Sequence, residues 1–279
     1  MHRTLIGSLR WLDVRLIYVF TSIFIIPVCL LLNLNHSRTT AYRYFRQRLG
    51  YGCLRASWYT YVNHCLFAQV VVDRFAVFAG KRFKLDIDGY EYFQQLELET
   101  KGFVILSSHI GCYEVAGYSL ISKSKQFNAL VFGGEKATVM KGRQEALSEH
   151  NIRMIPVRED MSHLFIVNEA LSNNEIMSMP ADRIVGSAKV VKVNFFGETA
   201  SLPAGPFSVA TMNGFDALAV NVMKISAKRY KVYVTRLSYD TQAPRKQQIQ
   251  QLANCYVEEL ERRVRQYPSQ WFNFYDFWS

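Results

Sequence analysis

Nineteen consecutive residues without a charge, "LIYVFTSIFIIPVCLLLNL" at 16–34, constrain this chain more than any other feature. As a helix they span roughly 28 Å, about one hydrocarbon thickness of a bilayer. Such a segment is a cleaved leader, a buried core helix or a membrane anchor. No small-x-small cleavage site follows it, which argues against the leader. Its flanks favour the anchor over the core helix. Arg3, Arg10 and Arg15 precede it and Arg38, Arg43, Arg46 and Arg48 follow, with no acid between Asp13 and Asp73. Basic residues beside an apolar segment are drawn to anionic lipid by about 1 kcal/mol each. The denser cluster after the segment favours residues 35–279 on the cytoplasmic side. Pro27 removes a backbone donor within the run, so a kink or a re-entrant hairpin is open beside a straight span.

The net charge of +10 has the same origin. Residues 1–60 hold eight arginines and one acid, hence +7, which leaves +3 for residues 61–279. A nucleic-acid binder would carry its charge on the folded body, so that class is disfavoured. Residues 40–80 interleave Tyr, Phe and Trp with Arg, a pattern that fits either a helix packed on the body or one lying among headgroups. The five cysteines are scattered, odd in number and form no C-x-x-C pair, so neither a disulfide framework nor a zinc site is expected, and a reducing compartment fits best.

From residue 82 the pattern changes. "RFKLDID" alternates like a strand and "YEYFQQLELETK" has helical spacing. "GFVILSS" is a continuous apolar run, suited to a central strand buried on both faces. "GCYEVAGYSLIS", "ATVMKGRQEALSEH" and "MSHLFIVNEALSNN" read as helices, and "FNALVFG", "IRMIPV" and "EIMSMPA" as the strands between them. "KVVKVNFFG" reads as a strand, "LPAGPFSVATMNG" as a helix, and "DALAVNVMKIS" and "RYKVYVTRLSY" as two further strands before a helix from Pro244 to about Gln266. Strand–helix alternation predicts an α/β fold: a mainly parallel or mixed central sheet flanked by helices, behind an N-terminal membrane-anchoring helix. The expected division is an anchor with interfacial helices over 1–80 and an α/β domain over 81–279.

The candidate chemistry sits where the buried run ends, in "VILSSHIGCYEVAG". His109 and Glu114 meet only if the strand exit ends near His109 and the helix starts near Gly111, because residues five apart on one helix do not face each other. Glu114 would then lie in the first helical turn, where the helix dipole favours its charge. A carboxylate on one imidazole nitrogen orients the ring and leaves the other basic, ready to take a proton from a hydroxyl or amine. Ligands also bind at the carboxyl ends of strands in open α/β sheets. A buried structural His–Glu hydrogen bond is the competing reading. Cys112 at a helix start and Ser107 or Ser108 are weaker nucleophile candidates, and no G-x-S-x-G elbow surrounds the serines.

An apolar strand followed by H-x4-E, behind an N-terminal apolar anchor, resembles the lysophospholipid acyltransferase superfamily. "MPADRIVG", "VNFFGETASLPAGPFSVA" and the tail "YPSQWFNF" are similar to its lipid A late acyltransferase branch. The resemblance implies an acyltransferase with His109 as general base and Glu114 as its orienting partner. It implies substrate-binding roles for Asp182 and Arg183, for Phe196, Gly197, Pro203 and Gly205, and for Arg143 in "MKGRQ" as a ligand of the acceptor phosphate or donor arm. The donor would be an acyl carrier protein or coenzyme A thioester, the acceptor a membrane lipid, with no bound cofactor or metal, on the cytoplasmic face of a bacterial-type inner membrane. The block reads Asp-Arg where many lipid A enzymes read Asp-Gln-Asp, so a lysophospholipid, an aminolipid or a polyene-type headgroup are equally open as acceptor. A lipid hydrolase using the same dyad on water, or a non-catalytic lipid-binding protein, are the alternative functions.

Overall fold

The alternation read from residue 82 onward becomes a seven-stranded mixed sheet, beside a separate two-stranded one. The computed structural model describes residues 11–33, 35–112, 115, 120–131, 151–158, 160–184, 189–275, 277 and 278. The first helix, α1 (Val14–Leu32), includes a π-helical stretch at Thr21–Ile25. It is followed by α2 (Ser37–Arg43), continued as a π-turn over Tyr44–Arg48, and the long α3 (Cys53–Phe78). Then come β1 (Lys84–Asp88), α4 (Tyr90–Leu98), β2 (Phe103–Gly111), β3 (Phe127–Val131), β4 (Ile152–Pro156), α5 (His163–Ser172) and β5 (Ile176–Pro180). The second half holds β6 (Val190–Phe195), β7 (Glu198–Pro203), α6 (Ala204–Thr211), β8 (Asp216–Ser226), β9 (Arg229–Leu237) and α7 (Arg245–Gln266), and a 3-10 turn (Pro268–Gln270) opens the tail.

The strand order is β1-β9-β8-β2-β5-β3-β4. All pairs are parallel except β8–β9, a hairpin. The expectation of a mainly parallel, mixed sheet is thus met. β2 lies mid-sheet, and Phe103–Leu106 are buried on both faces, as an apolar run without alternation requires. β8 is buried over Ala217–Lys224 for the same reason. One core cluster joins sheet residues such as Leu106, Met179 and Ala219 to Ala41, Tyr44, Phe45 and Ala56, so the segment after α1 shares the core of the α/β body.

Among the described residues, the helix expected over 111–122 does not begin at Gly111, which ends β2, and one strand is unexpected. Residues 198–203, where no element is expected over 198–201 and Leu202 and Pro203 are expected to start a helix, form β7, antiparallel to β6. The connection is Phe196-Gly197, with φ of 56° and 80°. Two successive positive φ values make the tight turn whose twist suits a hairpin. The usual marker is Asn-Gly or Asp-Gly, and a phenylalanine conceals it. Ahead of α5, the Asp160 carboxylate accepts from Ser162 N at 3.0 Å, and Ser162 holds the cap position.

Candidate active site

Two adjacent parallel strands deliver the site. β2 and β5 run in register to Ser107 opposite Pro180, and Ala181 N donates to the Ser107 carbonyl at 2.9 Å. The chain just beyond each pairing therefore emerges side by side, with His109 on one strand and Asp182 following the other. Asp182 takes both donors that His109 offers on that side. The His109 backbone N–H donates to Asp182 Oδ2 and ring Nδ1 to Oδ1, each at 2.7 Å.

That bidentate grip fixes the ring. An ionised carboxylate only accepts, so Nδ1 carries the hydrogen, and in the neutral ring the basic lone pair is on Nε2. Asp182 is 2% exposed, whereas the His109 side chain is 21% exposed. Burial raises the Asp182 pKa, but the charge of His109, the two hydrogen bonds from that residue and the charge of Arg183 outweigh it and leave the carboxyl below its ordinary value.

The tail completes the enclosure. Ile110 and Trp271 form an antiparallel bridge, and Phe272 N approaches the His109 carbonyl at 3.4 Å. Arg183 Nη2 donates to the Phe272 carbonyl at 2.8 Å, and Tyr275 donates its hydroxyl to the Asp182 carbonyl at 3.0 Å. Arg183 Nε is buried with no partner among the described residues. Behind the strand, Tyr256 donates to the Ser107 carbonyl at 2.9 Å. Ser108 points to the opposite face and is buried, its hydroxyl bound to Asn221 Oδ1 at 2.8 Å; Cys112 is buried too.

Gly111 makes the exit possible. Its φ is +62°, and a Cβ there would lie 2.0 Å from the Val222 carbonyl oxygen. The strand bends at this residue, and Cys112 N then donates to that same carbonyl at 2.7 Å.

The sequence-derived candidates fall into three groups. His109, Asp182 and Arg183 come together at the ends of β2 and β5. Phe196, Gly197, Pro203 and Gly205 belong to the β6–β7 turn and the start of α6. Phe196 is braced there by its backbone N–H to Glu261 at 2.7 Å and by the Arg265 guanidinium 4.4 Å from its ring centre. Glu114 and Arg143 lie outside the described residues. The partnership of Asp182 with His109, and the roles of Tyr256 and Tyr275, were missed. An acid directly after a strand end was the one available signal for Asp182, and nothing in the sequence marks the tyrosines.

The solved structure of the 1-acyl-sn-glycerophosphate acyltransferase PlsC from Thermotoga maritima is similar over 96% of this chain and 97% of that one, at 13% identity and a TM-score of 0.43. Comparison with curated proteins gives no match. The model of the bacterial lipid A biosynthesis acyltransferases matches residues 75–279, which include β1 through the tail and every residue of the site above. The chain therefore belongs to the bacterial lipid A biosynthesis acyltransferase family.

Proposed function

We propose that this acyltransferase moves a fatty acyl group from an acyl carrier protein or coenzyme A thioester to a hydroxyl or amine of a membrane lipid, with His109 as general base. The observation that carries the reading is the bidentate Asp182–His109 contact, which orients the ring at the mouth of a buried strand. Nε2 takes the acceptor's proton as its oxygen or nitrogen attacks the thioester carbonyl. The tetrahedral intermediate collapses with cleavage of the carbon–sulfur bond, and the imidazolium returns the proton to the departing thiolate. No covalent acyl-enzyme is needed. Arg183, whose positive charge lies beside Asp182, is the group assigned to the developing oxyanion. Glu114, the carboxylate of H-x4-E, belongs to the same proposal as a further orienting partner of the His109 ring, and Arg143 as a ligand of the acceptor phosphate or donor arm. Phe196, Gly197, Pro203 and Gly205 shape the acyl and acceptor site, and α1 holds the enzyme at the membrane.

General-base assistance is worth about 10²–10⁴ in rate. His109→Ala should therefore lower transfer of a radiolabelled acyl group into membrane lipid by that factor. Full transfer by this variant would refute the reading. Release of free fatty acid by the wild type, with no acylated lipid, would assign the site to hydrolysis instead.

A further inference from the structure

We propose that a cleft between the N-terminal helices and the C-terminal tail binds the phosphate-bearing headgroup of one of the two substrates, an inference that rests on the acyl-transfer reading of the His109 site. The cleft has a volume of about 270 Å³ and is lined by Thr40, Arg43, Gln47, Arg48, Asn273 and Tyr275 in front of an aromatic wall. That is just below the ~300–1,000 Å³ of typical small-molecule sites. It suits a compact polar group better than an acyl chain.

The charge pattern selects the ligand. Two arginines line the cleft, and no carboxylate does among the described residues. Arg48 is fixed from two sides, by an ion pair with Glu198 and by the face of Trp278, 4.2 Å from the guanidinium carbon. Arg43 is exposed and has no ion-pair or hydrogen-bond partner among the described residues. Its forked donors are therefore available, and a guanidinium fork matches phosphate oxygens in pairs. Thr40, Gln47 and Asn273 add uncharged polar groups around the same space.

Position ties the cleft to catalysis. Tyr275 forms part of its wall and donates to the Asp182 carbonyl at 3.0 Å, so one side chain separates the cleft from the His109–Asp182 pair. A headgroup held there would lie against the side chain that is hydrogen-bonded to the Asp182 backbone. Phosphate reaches an acyltransferase from two sources, the acceptor lipid and the carrier of the donor, and the test separates them.

The full chain in neutral detergent is titrated by calorimetry with two probe pairs: 1-acylglycerol 3-phosphate against 1-acylglycerol, and coenzyme A against pantetheine. The expected result is that, in one pair, the phosphate-bearing member binds about tenfold or more tightly, and that Arg43→Gln removes most of this preference. Preference in the lipid pair assigns the cleft to the acceptor, and preference in the coenzyme A pair to the donor. Gln47→Glu, which adds a carboxylate to the cleft, should give the same loss, so the test survives if either variant folds poorly. His109→Ala should keep the preference while losing transfer, which separates failure of the cleft from failure of the base. Absence of preference in both pairs, or a preference that both cleft variants retain, overturns the proposal.

Discussion

Among the described residues, Asp182 is the carboxylate that engages His109, and it takes two of that residue's donors at once. With it, Nδ1 and the backbone N–H are both committed, and the ring has one orientation. Asp182→Asn tests this at constant size. The amide retains one carbonyl oxygen and turns an NH₂ toward one of the two donors, so one buried hydrogen bond is lost and a clash of donors appears. Loss of a hydrogen bond to a charged group costs about 1.5–3 kcal/mol, readable in chemical denaturation. Transfer should fall by about 10²–10⁴, as expected when base catalysis loses its oriented ring. The same substitution changes the acid limb of stability. Because the folded carboxyl titrates below its ordinary value, the unfolded chain gains a proton first as pH falls. The stabilisation is complete above the ordinary carboxylate value of about 4 and is lost as pH drops through the folded value. Wild type should lose stability below about pH 4 more steeply than Asp182→Asn. His109 itself was legible in the sequence, because a histidine ending a doubly buried strand has few structural reasons to be there. Its contact with Asp182 was not, because it depends on β5 inserting beside β2 across the intervening β3 and β4, an order that strand–helix alternation does not encode.

At the scale of elements, the C-terminal tail acts as an extra strand that closes the site. Gln270 holds it in place by imitating a backbone: its Oε1 accepts from Lys224 N and its Nε2 donates to the Lys224 carbonyl, both at 2.8 Å. Asn63 of α3 donates to the carbonyls of Ser269 and Trp271, at 2.9 and 3.0 Å, so the first residues of the tail are held from both the sheet and the N-terminal helices. Immediately after them, Phe272 meets His109 and Arg183. Gln270→Ala should leave a buried N–H and a buried carbonyl on β8 without partners, at about 1–3 kcal/mol each. It should also lower the transfer rate although it touches neither His109 nor Asp182. Differential scanning calorimetry beside a kinetic assay checks both; a normal melting temperature would mean that the tail is anchored elsewhere. Most elements of the body were readable because β2 and β8 are continuous apolar runs and α7 has a clear helical spacing. The β6–β7 hairpin was not, because its turn uses Phe196 in a left-handed conformation that costs a side-chain-bearing residue about 1–2 kcal/mol. Tertiary contacts with Glu261 and Arg265 offset that cost, and no local sequence rule reports them.

For the whole molecule, the proposed membrane attachment turns on how α1 would meet a bilayer. The segment has a mean hydropathy of 2.3 and is long enough to cross. Yet one of its faces is committed to the body. Val14 and Tyr18 are buried against Ala76 of α3, and Tyr61 of α3 donates to the Ser22 carbonyl at 3.1 Å. Tyr18 also enters a buried network with Asp73 of α3, Lys224 of β8 and Tyr230 of β9. If α1 crossed the bilayer, α3 packed beside it would have to bring the exposed charge of Arg55 toward the hydrocarbon, where it is costly. Lying along the surface needs no such burial. In that pose the exposed face of α1, with Leu16, Val19, Phe20, Ile23 and Phe24, dips into the acyl region while the arginines that follow it meet the headgroups. Phe20→Asp with Phe24→Asp should then reduce flotation with phosphatidylglycerol-containing vesicles by 10²-fold or more, since burying each ring is worth roughly 1.5–3 kcal/mol. Melting of the body should not change, because both rings face outward. A tag fused before Met1 distinguishes the two insertions. Protease added outside protein-loaded vesicles should remove this tag and digest the catalytic body alike, because a helix on the surface leaves both on one side; a tag protected while the body is cut would establish a spanning helix.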